Sequence, residues 1–321
     1  MHVCIIGGGG NIGSTLAYTL TITEPAVDIS LLDVDTELAL AQATDIRHGN
    51  CHRSHPVGRS HISSSVGTVF AADSAGVIDE ADCIVVTASA PRPSEGAQRG
   101  GRQAYLDQNW NIAQEIGTLL AGYDSRPVIC VANPMDQMAY GIWYAAGWPR
   151  ETILGYSLSE TARLADWLAR FTETTPDRVQ CPIMGQHGEY IVPVFSRAMV
   201  DDDPIELAPP DRTDALDYVR SIPYEIIEAR GPEHSSKWVT ARGVGALVSR
   251  VLHTDLDEPI CLSVPLEGEY GQSDVCLSVP VQLSSSGWTK IFDWDLSQWE
   301  RDQFAAAGDA VRDSLADRPG I

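Results

Sequence analysis

Residues 7–13 read Gly-Gly-Gly-Gly-Asn-Ile-Gly, between an apolar run, His2-Val3-Cys4-Ile5-Ile6, and a segment with helical spacing. Few short sequences restrict a fold as strongly. Gly8-x-Gly10-x-x-Gly13 removes the Cβ at three places where a strand must turn into a helix, so backbone N–H groups can close on a pyrophosphate at the helix's positive end. The hexapeptide is a weak signal alone, and its context strengthens it. A second apolar run, residues 27–32, ends in Asp33, twenty residues beyond Gly13. A carboxylate there accepts hydrogen bonds from adenosine ribose hydroxyls and repels a 2′-phosphate, which favours NAD over NADP. Gly8, Gly10, Asn11, Ile12, Gly13 and Asp33 are therefore the first candidate cofactor-binding residues.

The pattern repeats downstream. Residues 37–46 are helical in composition, and residues 83–87 and 128–131 are further buried-strand runs, each followed by a polar or Gly/Pro-rich loop. Strands alternating with helices predict an α/β fold, a Rossmann-type doubly wound parallel sheet with the loops after its strands along one edge. The grammar changes after about residue 145. Helical patterns cover 160–171, 215–227, 235–252 and 297–315, residues 179–200 read as strand, loop and strand, and 260–266 and 275–283 form a hairpin-like pair. Two domains are expected: residues 1–144 binding NAD, and an α+β substrate-binding, catalytic domain over 145–321. Cys-Leu-Ser-Val-Pro occurs twice, at 261–265 and 276–280. Nothing else repeats at that spacing, so it reads as convergent strand composition. Asp201-Asp202-Asp203-Pro204 reads as a solvated loop.

Charge narrows the partners. The chain carries 44 acidic against 22 basic residues, a formal charge of −22, and lysine stands only at Lys237 and Lys290. Nucleic acid needs clustered cations and is a poor partner. No apolar run is long enough to span a membrane, and the first residues lack the charged flank of a signal peptide. Seven scattered cysteines without a Cys-x-x-Cys pair point to a reducing, cytoplasmic setting and to no metal site. Carboxylates dispersed along the whole length repel one another in dilute buffer and are tolerated where salt screens them, so adaptation to high salt is expected. His48, His52, His55 and His61 hold half of the histidines, but the nearby Arg47, Arg53 and Arg59 suit a surface or subunit contact better than a metal.

Gly185-Gln186-His187-Gly188 lies between two strand-like runs. A histidine suits proton donation to a ketone because its pKa lies near neutrality. It needs a carboxylate to fix its tautomer, and an anionic substrate needs a guanidinium fork. Glu160 and Arg163 supply both on one helix face, at i and i+3. The loop over 91–102 adds Arg92, Arg99 and Arg102, suiting a lid over an anion.

These elements, taken in order, resemble the malate and lactate dehydrogenase family over essentially the full length, closest to its lactate-dehydrogenase-like, salt-adapted malate dehydrogenases. The matching residues are the glycine turn, Asp33, Asp45-Ile46-Arg47-His48-Gly49, the arginine loop, Asn133-Pro134-Met135-Asp136, Glu160-Thr161-Ala162-Arg163, Gly185 to Gly188, and Val279-Pro280-Val281 with the final helix. The resemblance implies His187 as acid/base with Glu160 as its partner and Arg163 on the substrate's C1 carboxylate. It puts Asn133 at the carbonyl and the nicotinamide ribose, Asn109 beside the cofactor, and Ser236 beside the substrate. Arg102, seven residues before Asn109, polarises the carbonyl, with Arg99 as the alternative, and Arg92 reads the far end of the substrate. It further implies a homo-oligomer, tetramer or dimer, that binds salt ions.

Two departures stand out. The family's L-D-x-x-R has aspartate where this chain has Glu160, and a rival alignment places Ser159 there. Arg92 and Arg102 are also further apart than in the ordinary malate enzyme, so another loop residue can set specificity. The expected activity is NAD-dependent interconversion of a 2-hydroxy and a 2-oxo acid, malate and oxaloacetate first. Lactate and pyruvate are the rival pair, and an NAD-binding relative with altered catalysis is a third reading. The NAD- and manganese-dependent glycosidases share such a fold but need a Cys/His metal pair, and Cys181 has no histidine beside it.

Overall fold

The computed structural model describes residues 1–52, 66–91, 93, 106–231, 236–253, 258–316 and 318. β1 (His2–Ile6) is buried along its whole length and pairs in parallel with β2 (Asp28–Leu32) on one side and β4 (Cys83–Val86) on the other. β3 (Val69–Ala71) extends the first side, and β5 (Val128–Cys130) and β6 (Ile153–Gly155) extend the second, giving the order β3-β2-β1-β4-β5-β6. This is the doubly wound Rossmann order. Its strands are nearly continuous apolar runs because helices cover both faces of such a sheet. The connections after β1 and β2 are α1 (Asn11–Thr23) and α2 (Thr36–Cys51); α3 (Leu106–Leu120) and α4 (Met135–Ala146) follow β4 and β5 and pack on each other. Between β1 and β4 the winding reverses, and the loops leaving those two strands part to form a crevice. The parallel run ends at β6, past residue 144, where the sequence pattern shifts.

The same sheet continues into the second half. β12 (Ile260–Glu267) runs antiparallel to β6 through Ser263 and Gly155, and pairs along its length with β13 (Ser273–Ser284). β13 in turn carries β14 (Gly287–Ile291) and meets β8 (Ile183–Gly185), next to β9 (Ile191–Pro193). The repeated pentapeptide acquires a meaning here. Its two copies are laid against each other in antiparallel register, Cys261 opposite Pro280 and Ser263 opposite Ser278. Each copy supplies one inward serine to a neighbouring strand junction.

α5 (Leu158–Phe171), α6 (Pro209–Arg230), α7 (Lys237–Leu252) and α8 (Gln298–Leu315) complete this half, α8 starting in a capping box between Ser297 and Glu300. The stretch expected as strand, loop and strand over 179–200 instead holds four short strands. Two are β8 and β9. The others, β7 (Val179–Gln180) and β10 (Met199–Val200), join β11 (Asp203–Pro204) in a separate small sheet. The acidic turn is thus a two-residue hairpin, with Asp201 and Asp202 at φ 50° and 66°. Arg178 donates to Asp201 and anchors it. One buried cluster runs from Val3 on β1 to Leu315 on α8, and a smaller one, around Leu164, Phe195 and Val219, lies under α5 and α6. All seven cysteines are unpaired, and only Cys51 is exposed. Among the described residues no helix is long and apolar enough to cross a membrane.

Candidate active site

The glycine turn follows β1 at the crevice. Gly7 has φ +86°, and a Cβ there would overlap the Ala88 backbone after β4; one on Gly13 would strike the Gly7 carbonyl. Both positions let α1 approach the β1–β4 edge closely. Gly10 is the N-cap of α1, whose first residues are Asn11 and Ile12. Asp33, at the end of β2, accepts the Gly9 N–H at 2.9 Å through Oδ2 and the Asp35 N–H at 3.0 Å through Oδ1. Gly10, Asn11, Ile12 and Asp33 line the open end of a cleft of about 1060 Å³, as does Gly7, whereas Gly8 and Gly13 pack behind it. Gly7 was legible only as an extra glycine in the run of four.

The inner end of that cleft is lined by Asn133, Tyr156, Ser159, Arg163, His187 and Ser236. Asn133 precedes a cis proline, and its Oδ1 is buried with no hydrogen-bond partner among the described residues; Ser236 Oγ is in the same state. Buried polar atoms are rarely left unpaired, so two of them on one cleft wall mark groups that a bound molecule completes. Asn109 lies behind this wall. Its Oδ1 accepts the Ala90 N–H at 2.6 Å, and its amide donates to the Asn133 carbonyl. It therefore ties the loop after β4 to the loop after β5 and does not line the cleft.

Glu160 occupies the first turn of α5, with its side chain 3% exposed. Its Oε2 lies 2.7 Å from His187 Nδ1, and its Oε1 lies 3.7 Å from an Arg163 guanidinium nitrogen. A carboxylate can only accept, so Nδ1 carries the proton and Nε2 is the nitrogen left for chemistry. Ser159 is turned elsewhere. Its Oγ donates to the Tyr156 hydroxyl at 3.1 Å, which donates in turn to the Val239 carbonyl on α7 at 3.3 Å. Burial pushes the Tyr156 phenol up to about 12, so it stays neutral. The ring was not singled out in the sequence, where a lone Tyr before a helix gives no sign. Arg92, Arg99 and Arg102 lie outside the described residues, as do His55 and His61. His48 is exposed on α2, and no group of three metal-ligating side chains occurs among the described residues. Lys237 opens α7 with its Nζ 4.6 Å from the Trp238 ring.

Two family models divide the chain between them. The lactate/malate dehydrogenase NAD binding domain matches residues 1–155, and the lactate/malate dehydrogenase alpha/beta C-terminal domain matches residues 160–318. The chain belongs to the lactate/malate dehydrogenase family. Among its relatives, the malate dehydrogenase of Haloarcula marismortui is 28% identical over 97% of each chain. The L-lactate dehydrogenase of Bacillus pumilus is 26% identical over 96% of this chain and 95% of the relative. The malate dehydrogenase structure from Aeropyrum pernix superposes with a TM-score of 0.87 at 24% identity, covering 99% and 98% of the two chains, which establishes the shared fold. This lactate/malate dehydrogenase family member is accordingly an NAD-dependent oxidoreductase acting on a CH–OH group. The glycine turn, Asp33 and the unpaired Asn133 Oδ1 suit such a cofactor.

In this dehydrogenase Glu160, from the first turn of α5, reaches the histidine through its Oε2. The Gly185 to Gly188 loop between β8 and β9 brings His187 to α5.

Proposed function

We propose that this enzyme interconverts malate and oxaloacetate with NAD, with His187 as the acid/base. The observation that carries the reading is the buried set of His187, Glu160 and Arg163 at the inner end of the cleft that begins at Asp33. NAD, when bound, supplies hydride transfer at its nicotinamide. Gly10, Asn11, Ile12 and Asp33 would hold its adenosine and pyrophosphate, and Asn133 its nicotinamide ribose. His187 keeps a proton on Nε2 for the oxygen of the 2-oxo acid and takes it back in the reverse direction. Glu160 holds the Nδ1 tautomer and balances the imidazolium. Arg163 binds the substrate's C1 carboxylate as a fork, and the burial of Glu160 beneath the half-buried His187 and Arg163 keeps water from the carboxylate–imidazole pair. Arg102 polarises the carbonyl, and Ser236 lines the substrate.

Malate is favoured by Arg92 as the group that reads a second carboxylate, and the malate dehydrogenases of Haloarcula marismortui and Haloferax volcanii are among the relatives. The longer arginine loop and the lactate dehydrogenase relative favour pyruvate as the second reading. The same reading makes the enzyme a cytoplasmic, salt-adapted homo-oligomer, tetramer or dimer. NADH oxidation in molar salt, with oxaloacetate and pyruvate as alternative substrates, decides between them. Turnover of oxaloacetate well above pyruvate is expected, and Arg92→Gln should reduce that preference. Pyruvate well above oxaloacetate would overturn the malate assignment, and turnover of neither would overturn the dehydrogenase mechanism.

A further inference from the structure

Asp136 is a fully buried carboxylate to which the mechanism above gives no task. It stands in the first turn of α4, three residues after Asn133 and on the far side of the cis proline. Its Oδ2 accepts the backbone N–H of His187 at 2.8 Å, and its Oδ1 accepts the Ser263 hydroxyl at 2.7 Å. Ser263 is the central serine of the first pentapeptide copy and sits opposite Gly155 of β6. Burying a carboxylate is costly, and an apolar residue of similar size would fill the space without that cost. Here the charge is offset by the two hydrogen bonds and by the positive end of α4.

The loop that bears the histidine needs such an anchor. His187 lies in a segment bounded by Gly185 and Gly188, at φ +83° and +142°. Neither glycine has a side chain with which to pin the loop, while the imidazole must stay in register with the amide of Asn133. The described charged and titratable groups around it are few. Glu160 and Arg163 approach from α5, Glu189 and Tyr190 belong to its own loop, and Asp136 comes from α4. Behind Asp136 stand Cys130 and Cys276, whose thiols burial keeps protonated. With Arg163 set against Glu160, the second carboxylate makes the proton-loaded His187 the neutral arrangement of the four groups.

We propose that Asp136 is a positioning residue for His187, which ties the histidine's main chain to the segment carrying Asn133 and holds a second negative charge behind the imidazole. The inference rests on the reading of His187 as the acid/base. Asp136→Asn and Asp136→Ala separate the two parts of the role. The asparagine keeps the His187 N–H bonded through its Oδ1, and the Ser263 hydroxyl can reverse to accept from its amide; only the charge is lost. Its expected signature is a fall of roughly 1 unit in the His187 pKa, read by NMR titration of histidine-labelled enzyme, with a smaller loss of kcat than in the alanine variant. The alanine variant should lose roughly 10²-fold in kcat while its Kd for NADH stays within about threefold of wild type. An Asp136→Asn pKa unchanged from wild type, or an alanine variant that keeps wild-type kcat or loses NADH affinity in step with kcat, would overturn the proposal. Should the alanine variant not fold, the asparagine titration decides. Because that titration requires no turnover, wild-type enzyme inactive on both oxo acids would sink the proposed function while leaving this inference separately tested.

Discussion

At the scale of single residues, one methylene is the point on which the site turns. Glu160 stands where the resemblance led us to expect an aspartate, and its Oε2 reaches His187 Nδ1 at 2.7 Å while Oε1 lies near Arg163. The backbone of α5 therefore sits at the distance a glutamate needs, and an aspartate there would fall short. We expect Glu160→Gln to lower kcat/KM roughly 10²–10⁴-fold with NADH binding retained, and Glu160→Asp to lower it as well, despite restoring the expected residue. Steady-state kinetics alongside a fluorescence titration with NADH check both; an aspartate variant as active as wild type would show that α5 or the His187 loop adjusts freely. The residues legible in the sequence were those set by local spacing. Glu160 and Arg163 share a helix face at i and i+3, and Asp33 follows the glycine turn by a fixed interval. Asp136 stood inside the Asn133-Pro134-Met135-Asp136 motif and Tyr156 in none, but neither's role was legible, because each rests on contact with a residue 51 or more positions away in the chain.

At the scale of elements, α7 shows how a helix is fitted to a site. Gly243 lies within it, and a Cβ there would overlap the Tyr156 hydroxyl. Tyr156 in turn joins the end of β6 and the start of α5 to the Val239 carbonyl, so the glycine lets α7 close on the wall that carries Glu160 and Arg163. Gly243→Ala should destabilise the protein by about 1–3 kcal/mol through overpacking, a loss only partly offset by the better helix propensity of alanine. In a Tyr156→Phe background the oxygen is gone but the ring carbon Cζ still lies 2.8 Å from that Cβ, so the same substitution should cost less without becoming neutral. Denaturant titrations of the four proteins of this cycle measure the difference, and additive effects would remove the contact as the reason for the glycine. The helical pattern over 235–252 was legible in the sequence, but not why Gly243 stands inside it. A glycine in a helix has many possible neighbours, and only the packing of α7 shows which one. Residues 179–200 were expected as two strands and hold four for a related reason: strands of two or three residues are too short to express an alternating pattern.

At the scale of the whole molecule, a formal charge of −22 over 321 residues acts on every element at once. The few described cations are largely engaged with carboxylates or rings, as Arg150 is with Glu269 at 2.8 Å and Arg197 with the Trp294 ring at 4.4 Å. Like charges elsewhere are left to the solvent. The Debye length falls from about 10 Å at 0.1 M to about 3 Å at 1 M salt, so screening removes most of the long-range repulsion over that range. Tm and the rate of oxo-acid reduction should both rise as potassium chloride is raised from 0.1 M to above 1 M. The rate gains because the substrate is an anion approaching an anionic surface. An enzyme equally stable and active at both ends would mean that the acidic surface has another purpose. The overall architecture was readable from composition and periodicity, since alternating buried strands and helices leave few topologies open. The way the two halves join was not.

That junction has a consequence for how the chain loses its structure. The parallel strands and the antiparallel ones belong to one continuous sheet, joined where Ser263 of β12 meets Gly155 of β6, over a core that runs from β1 to α8. Melting of one half would expose the buried face of the other, which couples their stabilities. A nucleotide bound at the glycine turn is therefore expected to slow hydrogen exchange in the distant histidine loop as well, and denaturation followed by two independent probes should give coincident transitions.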